Sequence, residues 1–224
     1  MKKSIMYLLL VVFLSLTFYL PAEAGDDKCS KQYLFAAGLY EKGNFELAIE
    51  QFQRFITECP QNETAADAQY WIGESYYNQE KYKEAIGEYT KVVGTFPKNK
   101  IASESQSRIG NCYYLLQDYK NSISAYQKVL DDYPSSEEAQ SALYWLGWSY
   151  FKNSDFENAA KTYDRFLKNY PQSQLVVEAV FMLGESLFNL QKYAPAIDIY
   201  KKITGMPTPQ EPYTLNSYYG LGWC

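Results

Sequence analysis

Leu143-Tyr144-Trp145-Leu146-Gly147-Trp148-Ser149-Tyr150, followed by Phe156, Ala159, Tyr163 and Pro171, decides how this chain folds. Shifted by 37 residues in either direction, the pattern returns. Gly147 has counterparts at Gly73, Gly110 and Gly184 and, one residue late, at Gly222. Pro171 has counterparts at Pro60, Pro97 and Pro134. A fixed period of this order marks one supersecondary unit stacked on copies of itself. Such an array lengthens by adding units, so its 224 residues do not imply one large core.

Inside each period the apolar positions fall into two helical blocks separated by a short polar turn. In the second unit Ile72, Gly73, Tyr76 and Tyr77 lie on the first block, and Gln79-Glu80-Lys81 is the turn. Tyr82, Ala85, Ile86, Tyr89 and Val92 then recur at the spacing of one helix face. Pro97 ends the second block, because the residue before a proline is pushed out of the helical region. The later units repeat this with Tyr119, Ser122, Tyr126 and Val129, with Phe156, Ala159, Tyr163 and Phe166, and with Tyr193, Ala196, Tyr200 and Ile203. The first unit is more divergent, reading Phe35, Ala36, Leu39, Phe45, Ala48, Phe52, Phe55 and Pro60. The glycine and the alanine are predicted where the two helices approach closely, and the rings fill the space between hairpins.

Position by position the units resemble the tetratricopeptide repeat, with its L-G-x-x-Y, A-x-x-x-F/Y and terminal P. The resemblance covers residues 29–224 as five units, 29–65, 66–102, 103–139, 140–176 and 177–214, plus the start of a sixth at 215–224. It implies an all-α solenoid of antiparallel hairpins wound into a right-handed superhelix. The period exceeds the usual ~34 residues, and the extra residues follow each proline. Asn62, Asn99, Ser136 and Ser173 stand two residues past the prolines and are predicted to cap lengthened first helices. This long junction is similar to the envelope branch of the family. That branch includes the lipoprotein of the outer-membrane barrel-assembly machine and the periplasmic repeat protein of the Tol-Pal system. Two departures stand out: there is no lipid-attachment cysteine, and no coiled-coil segment precedes the repeats. Pro207, Pro209 and Pro212 break the pattern after the fifth unit, and Leu221-Gly222-Trp223-Cys224 reads as a sixth first helix in a truncated record.

The N-terminus reads as a targeting segment. Lys2 and Lys3 precede an apolar run from Ile5 to Leu20, and Ala22-Glu23-Ala24 offers small residues for cleavage before Gly25. A removed leader at 1–24, a solenoid at 25–224 and a periplasmic or otherwise extracytoplasmic location are the expectation, with no stable membrane span after cleavage. Lipidation at Cys29 is excluded by Asp26-Asp27-Lys28 before it, where a lipoprotein signal needs small residues.

Catalysis is not expected. The chain has no histidine, which removes the usual general base and the commonest metal ligand. Paired acids such as Asp131-Asp132 and Glu137-Glu138 sit at predicted helix ends, and nothing opposes them across a cleft. No metal site and no cofactor is expected. A net charge of −5 argues against a nucleic-acid partner, which needs a clustered basic excess. Aromatic residues at 17%, among them 23 tyrosines, supply apolar area enough to exclude disorder over most of the chain. Cys112 and Cys224 take the place of serines in other units and read as small buried residues. Cys29 and Cys59 fall at the two open ends of the first hairpin, where either a disulfide or two free thiols is compatible with the sequence.

In the family the groove is lined by the first helices. The resemblance carries that lining onto Tyr70, Glu74 and Tyr77, onto Asn111 and Tyr114, onto Tyr144, Trp148 and Phe151, and onto Phe181, Glu185 and Phe188. The fourth unit is the richest in rigid rings, the residues that binding hot spots favour. The expected partner is a protein or peptide segment of the cell envelope, bound by a non-enzymatic scaffold. Two alternatives are a carbohydrate- or peptidoglycan-binding module, since exposed rings stack on sugars, and the repeat part of a longer envelope protein.

Overall fold

The computed structural model describes residues 22–208 and 210–224, with side chains from Lys28 onward. The basic start and apolar run of the expected leader lie outside the described residues. Among those residues are eleven helices and no strand. They pair as α1 (Ala22–Glu41) with α2 (Phe45–Glu58), α3 (Ala65–Asn78) with α4 (Tyr82–Thr95), and α5 (Ile101–Leu115) with α6 (Tyr119–Asp132). Next come α7 (Glu138–Lys152) with α8 (Phe156–Asn169), α9 (Val176–Asn189) with α10 (Tyr193–Thr204), and a single α11 (Tyr213–Trp223). Each helix packs on its neighbours in sequence, and first helices of successive units also touch. No described helix is long and apolar enough to cross a membrane.

The repeated glycine is explained by the ring that lies on it. A Cβ added at Gly73, Gly110, Gly147 or Gly184 would come within 2.5–2.8 Å of Tyr89, Tyr126, Tyr163 or Tyr200 respectively. Those tyrosines are fully buried, so the ring has no direction in which to yield. The repeated alanine (Ala48, Ala85, Ala159, Ala196) is likewise fully buried. In the third unit Ser122 takes that place, and its hydroxyl is satisfied by the Gly110 carbonyl at 3.1 Å and the Ser149 hydroxyl at 2.8 Å.

The turn inside each hairpin is a Schellman cap. Lys81 N–H donates to the Tyr76 carbonyl and Glu80 N–H to that of Tyr77, each at 2.9 Å. The residue between the helices is left-handed in every unit: Gly43 at φ 75°, then Glu80, Gln117, Ser154 and Gln191 at 58–61°. Only the first unit uses the residue type that makes this conformation easy. Beside the turn an edge-to-face aromatic pair closes each hairpin. Tyr40–Phe45, Tyr77–Tyr82, Tyr114–Tyr119, Phe151–Phe156 and Phe188–Tyr193 have centroids 5.2–5.6 Å apart.

At the other end of the hairpins, Asn62, Asn99 and Ser173 accept from the backbone N–H two residues on, at 3.0–3.2 Å. The side chains thus start a turn that leads into α3, α5 and α9, one step before the helix proper. Ser136 departs from this, its hydroxyl being buried without a hydrogen-bond partner among the described residues. Cys29, in α1, and Cys59, just past α2, are joined as a disulfide with Cα atoms 6.1 Å apart.

In the C-terminal unit Thr214 and Ser217 are buried eight and five residues before Gly222, as Ala139 and Ala142 are before Gly147. Gly220, two residues before Gly222, meets the Tyr200 ring of the preceding unit, with a Cβ there 2.8 Å from it, and nothing lies within 4 Å of a Cβ at Gly222. Cys224, expected to be buried, is exposed, while Cys112 is buried as expected.

Candidate functional site

On the first-helix face the second unit forms a buried polar network. Glu74 is 6% exposed. The Tyr89 hydroxyl donates to it, and Arg108 of the next first helix places Nε 3.0 Å from its carboxylate. The same guanidinium lies 5.5 Å from the centre of the Tyr77 ring. Its Nε is also 3.3 Å from the Tyr70 oxygen, and the Tyr70 hydroxyl donates to Glu104 at 2.6 Å. Burial pushes the Glu74 carboxyl above the usual range, while Arg108 and the Tyr89 hydroxyl pull it back. Burial, then the Glu74 charge, pushes the Tyr70 phenol up. Tyr70 and Tyr144, each 3% exposed, together with Glu74, are therefore packed into the wall and do not form open lining.

The position after the glycine has a repeated duty, to accept a hydrogen bond from the buried tyrosine of the second helix. Glu74 takes it from Tyr89, Asn111 from Tyr126 at 2.5 Å, and Glu185 from Tyr200 at 2.7 Å. In the fourth unit the position is Trp148, which has no acceptor to offer. Its indole N–H turns instead to the Tyr144 oxygen at 2.7 Å, and Lys152 Nζ sits 5.5 Å from its ring centre. The Tyr163 hydroxyl is left buried with no partner among the described residues. Accordingly Tyr163→Phe is expected to leave thermal stability unchanged or raised, whereas Tyr126→Phe loses about 1 kcal/mol, as its hydroxyl is paired. Equal losses in the two variants by denaturant titration would contradict this account.

Tyr77, Asn111, Tyr114, Trp148, Phe151, Phe181, Glu185 and Phe188 are all partly accessible. They are not gathered in one cavity. Tyr77, Tyr114, Phe151 and Phe188 belong to the hairpin-closing pairs, and Phe181, Glu185 and Phe188 share a cleft of about 570 Å³. A cavity of about 1050 Å³ runs along the starts of α3, α5 and α7 and was not expected. Tyr33, Trp71, Asp67 and Glu104 form one part of it, Lys98 and Lys100 another, and Glu137 and Glu138 a third. Tyr33 and Trp71 are held together there, Trp71 Nε1 donating to the Tyr33 oxygen at 3.1 Å. A signal for it in the sequence is Trp71, a ring two residues before Gly73. Among the described residues no group of acids and cysteines could hold a metal ion.

Family comparisons agree with this geometry. Residues 33–100 match the tetratricopeptide-repeat model, and residues 103–202 match that of the outer membrane lipoprotein YfiO. The chain folds as a tetratricopeptide-repeat solenoid. Its solenoid is similar to a tetratricopeptide repeat protein from Parabacteroides merdae, at 19% identity, covering 88% of this chain and 74% of that one with a TM-score of 0.68. It is also similar to YrrB, described as having an unusual peptide-binding site, at 18% identity, 84% and 90% coverage and a TM-score of 0.65. MamA from Desulfovibrio magneticus gives 18%, 79% and 93%, and 0.62. At these identities the likeness concerns the fold. No curated protein matches the sequence.

Proposed function

We propose that this solenoid is an exported, non-enzymatic scaffold that binds a protein segment across its first-helix face in the assembly or maintenance of the cell envelope. Tetratricopeptide repeats serve as protein-interaction surfaces, and the lipoprotein-family match over residues 103–202 favours an envelope setting. The observation that carries the binding role is Trp148. At that position the second, third and fifth units place a polar acceptor that stabilises the fold, and the fourth places an accessible ring. Leaving the Tyr163 hydroxyl unpartnered costs about 1–3 kcal/mol, a cost that packing alone does not require. We place the segment over Trp148 and Phe151, with Tyr77, Tyr114 and Phe188 continuing the row, and take the Cys29–Cys59 bond as formed in an oxidising compartment.

The test is crosslinking and mass spectrometry in the native cell. One or a few envelope proteins should be enriched by the wild type and reduced at least fivefold by Trp148→Ala, since a central aromatic anchor is worth ~1 kcal/mol or more. Tyr163→Phe, which leaves the surface intact, should retain them. If no envelope partner is enriched, or Trp148→Ala captures the same set equally, the reading fails.

A further inference from the structure

Glu185 stands three periods after Glu74, and its neighbours are the same set at the same shift: Phe181 for Tyr70, Phe188 for Tyr77 and Tyr200 for Tyr89. In the second unit that set already holds a guanidinium, supplied from within the chain. Arg108 Nε lies 3.0 Å from the Glu74 carboxylate, and the guanidinium lies 5.5 Å from the centre of the Tyr77 ring. In the fifth unit the next helix supplies no such group. The place of Arg108, two residues before the repeat glycine, falls in α11 on Gly220, so no side chain fills the space and it opens, lined by Asn216 and Tyr219, as the cleft of about 570 Å³. Phe181, Phe188, Tyr219 and Trp223 wall it around Glu185, and no lysine or arginine lines it. Tyr200 satisfies Oε1 of Glu185 at 2.7 Å, and no ion pair to this carboxylate is found among the described residues.

We propose that this cleft binds the guanidinium of an arginine side chain presented by the partner segment. A carboxylate set among aromatic faces offers a cation both a charge-assisted hydrogen bond and ring quadrupoles. A planar guanidinium uses both at once, stacking on a ring while its N–H groups reach the carboxylate, which a compact ammonium does less well. The second unit shows that this repeat geometry accommodates the group, and the fifth presents the receptor to the outside. This assignment rests on the reading of the first-helix face as a binding surface and names one chemical feature of what it binds.

The test needs no identified partner. N-acetyl-L-argininamide is titrated into the full chain, and the indole N–H resonance of Trp223, assigned by its loss in Trp223→Phe, is followed by NMR. The resonance should shift saturably. The uncharged isostere N-acetyl-L-citrullinamide should produce little change, and N-acetyl-L-lysinamide a weaker one. Glu185→Gln keeps an acceptor for Tyr200 and so keeps the fold, but should weaken arginine binding about tenfold. A Trp223 resonance unmoved by arginine, or one that citrulline or lysine moves equally, overturns the proposal. So does unchanged affinity in Glu185→Gln with wild-type melting. These results are independent of partner capture through Trp148, so this assignment and the scaffold reading can fail separately.

Discussion

Arg108→Met should destabilise the solenoid by about 2–3 kcal/mol at neutral pH, because it leaves the Glu74 carboxylate buried with no cation. The figure lies below that for a fully buried pair, since the Arg108 side chain keeps 30% of its surface exposed while that of Glu74 keeps 8%. Tyr89 continues to donate to Glu74, but one neutral hydroxyl does not balance a desolvated charge. The deficit should depend on pH. Burial already holds the Glu74 pKa above its ordinary value of 4.5, and Arg108 is the largest influence opposing that rise. In the variant the folded-state value climbs further. A group whose folded pKa is raised contributes stability below its unfolded value and loses it as pH rises through the folded one. The gap between variant and wild type should thus be widest near neutrality and narrow below about pH 4.5, the ordinary glutamate value. Urea titrations of both proteins across that range measure it. Adding Glu74→Gln, which removes the charge and keeps an acceptor for Tyr89, should recover more than half of the loss. A gap that does not vary with pH, or a double variant no better than the single one, would show that Arg108 acts through packing.

Loss of the Cys29–Cys59 link is expected to have the second large effect, about 3–4 kcal/mol by the chain-entropy account for a 30-residue separation. Its location concentrates that effect. α1 has the disulfide, one hairpin partner and a few contacts with α3 to hold it, and Leu34 and Phe35 on its surface are exposed. In an array whose units are supported by their neighbours, the end unit opens first. Cys29→Ser with Cys59→Ser should therefore raise hydrogen exchange in α1 and α2 strongly while leaving α5 to α8 near their original protection. Tyr33 belongs to α1 and helps line the cavity at the starts of α3, α5 and α7 through its contact with Trp71, so that wall should loosen as well. Exchange that rises uniformly along the chain, or not at all, would contradict a local clamp.

The repeat was legible because each of its marks answers a steric demand that recurs at one spacing. Gly147 is required by the Tyr163 ring, and Pro171 stops a helix wherever it stands. The turn was only partly legible. Gly43 announces a left-handed residue, but Glu80, Gln117, Ser154 and Gln191 adopt the same conformation without announcing it. There the backbone is imposed by the two packed helices and outweighs the local preference of the side chain. The groove positions were found as a register, but their roles were not. Tyr70, Glu74 and Tyr144 turned inward, because a side chain between two hairpins is placed by the next hairpin as much as by its own helix. Arg108 was missed for that reason: its partner Glu74 lies on another unit, and no spacing within a unit links them.

By itself, then, the sequence determined the period of the array, the two-helix form of its units, the close approaches that glycine and alanine permit, and the absence of histidine chemistry. All of these depend on contacts that repeat or on composition, so each copy testifies for the others. Only the tertiary structure decided what differs between copies. It showed which carboxylate is matched by an internal arginine and which tyrosine hydroxyl lies buried without an acceptor. It also showed that Gly220, at the place Arg108 takes in the third unit, lies on the Tyr200 ring and leaves a cleft beside it. Such features arise between units, where side chains distant in sequence share one desolvated space, and a periodic pattern carries no record of which pairs meet there.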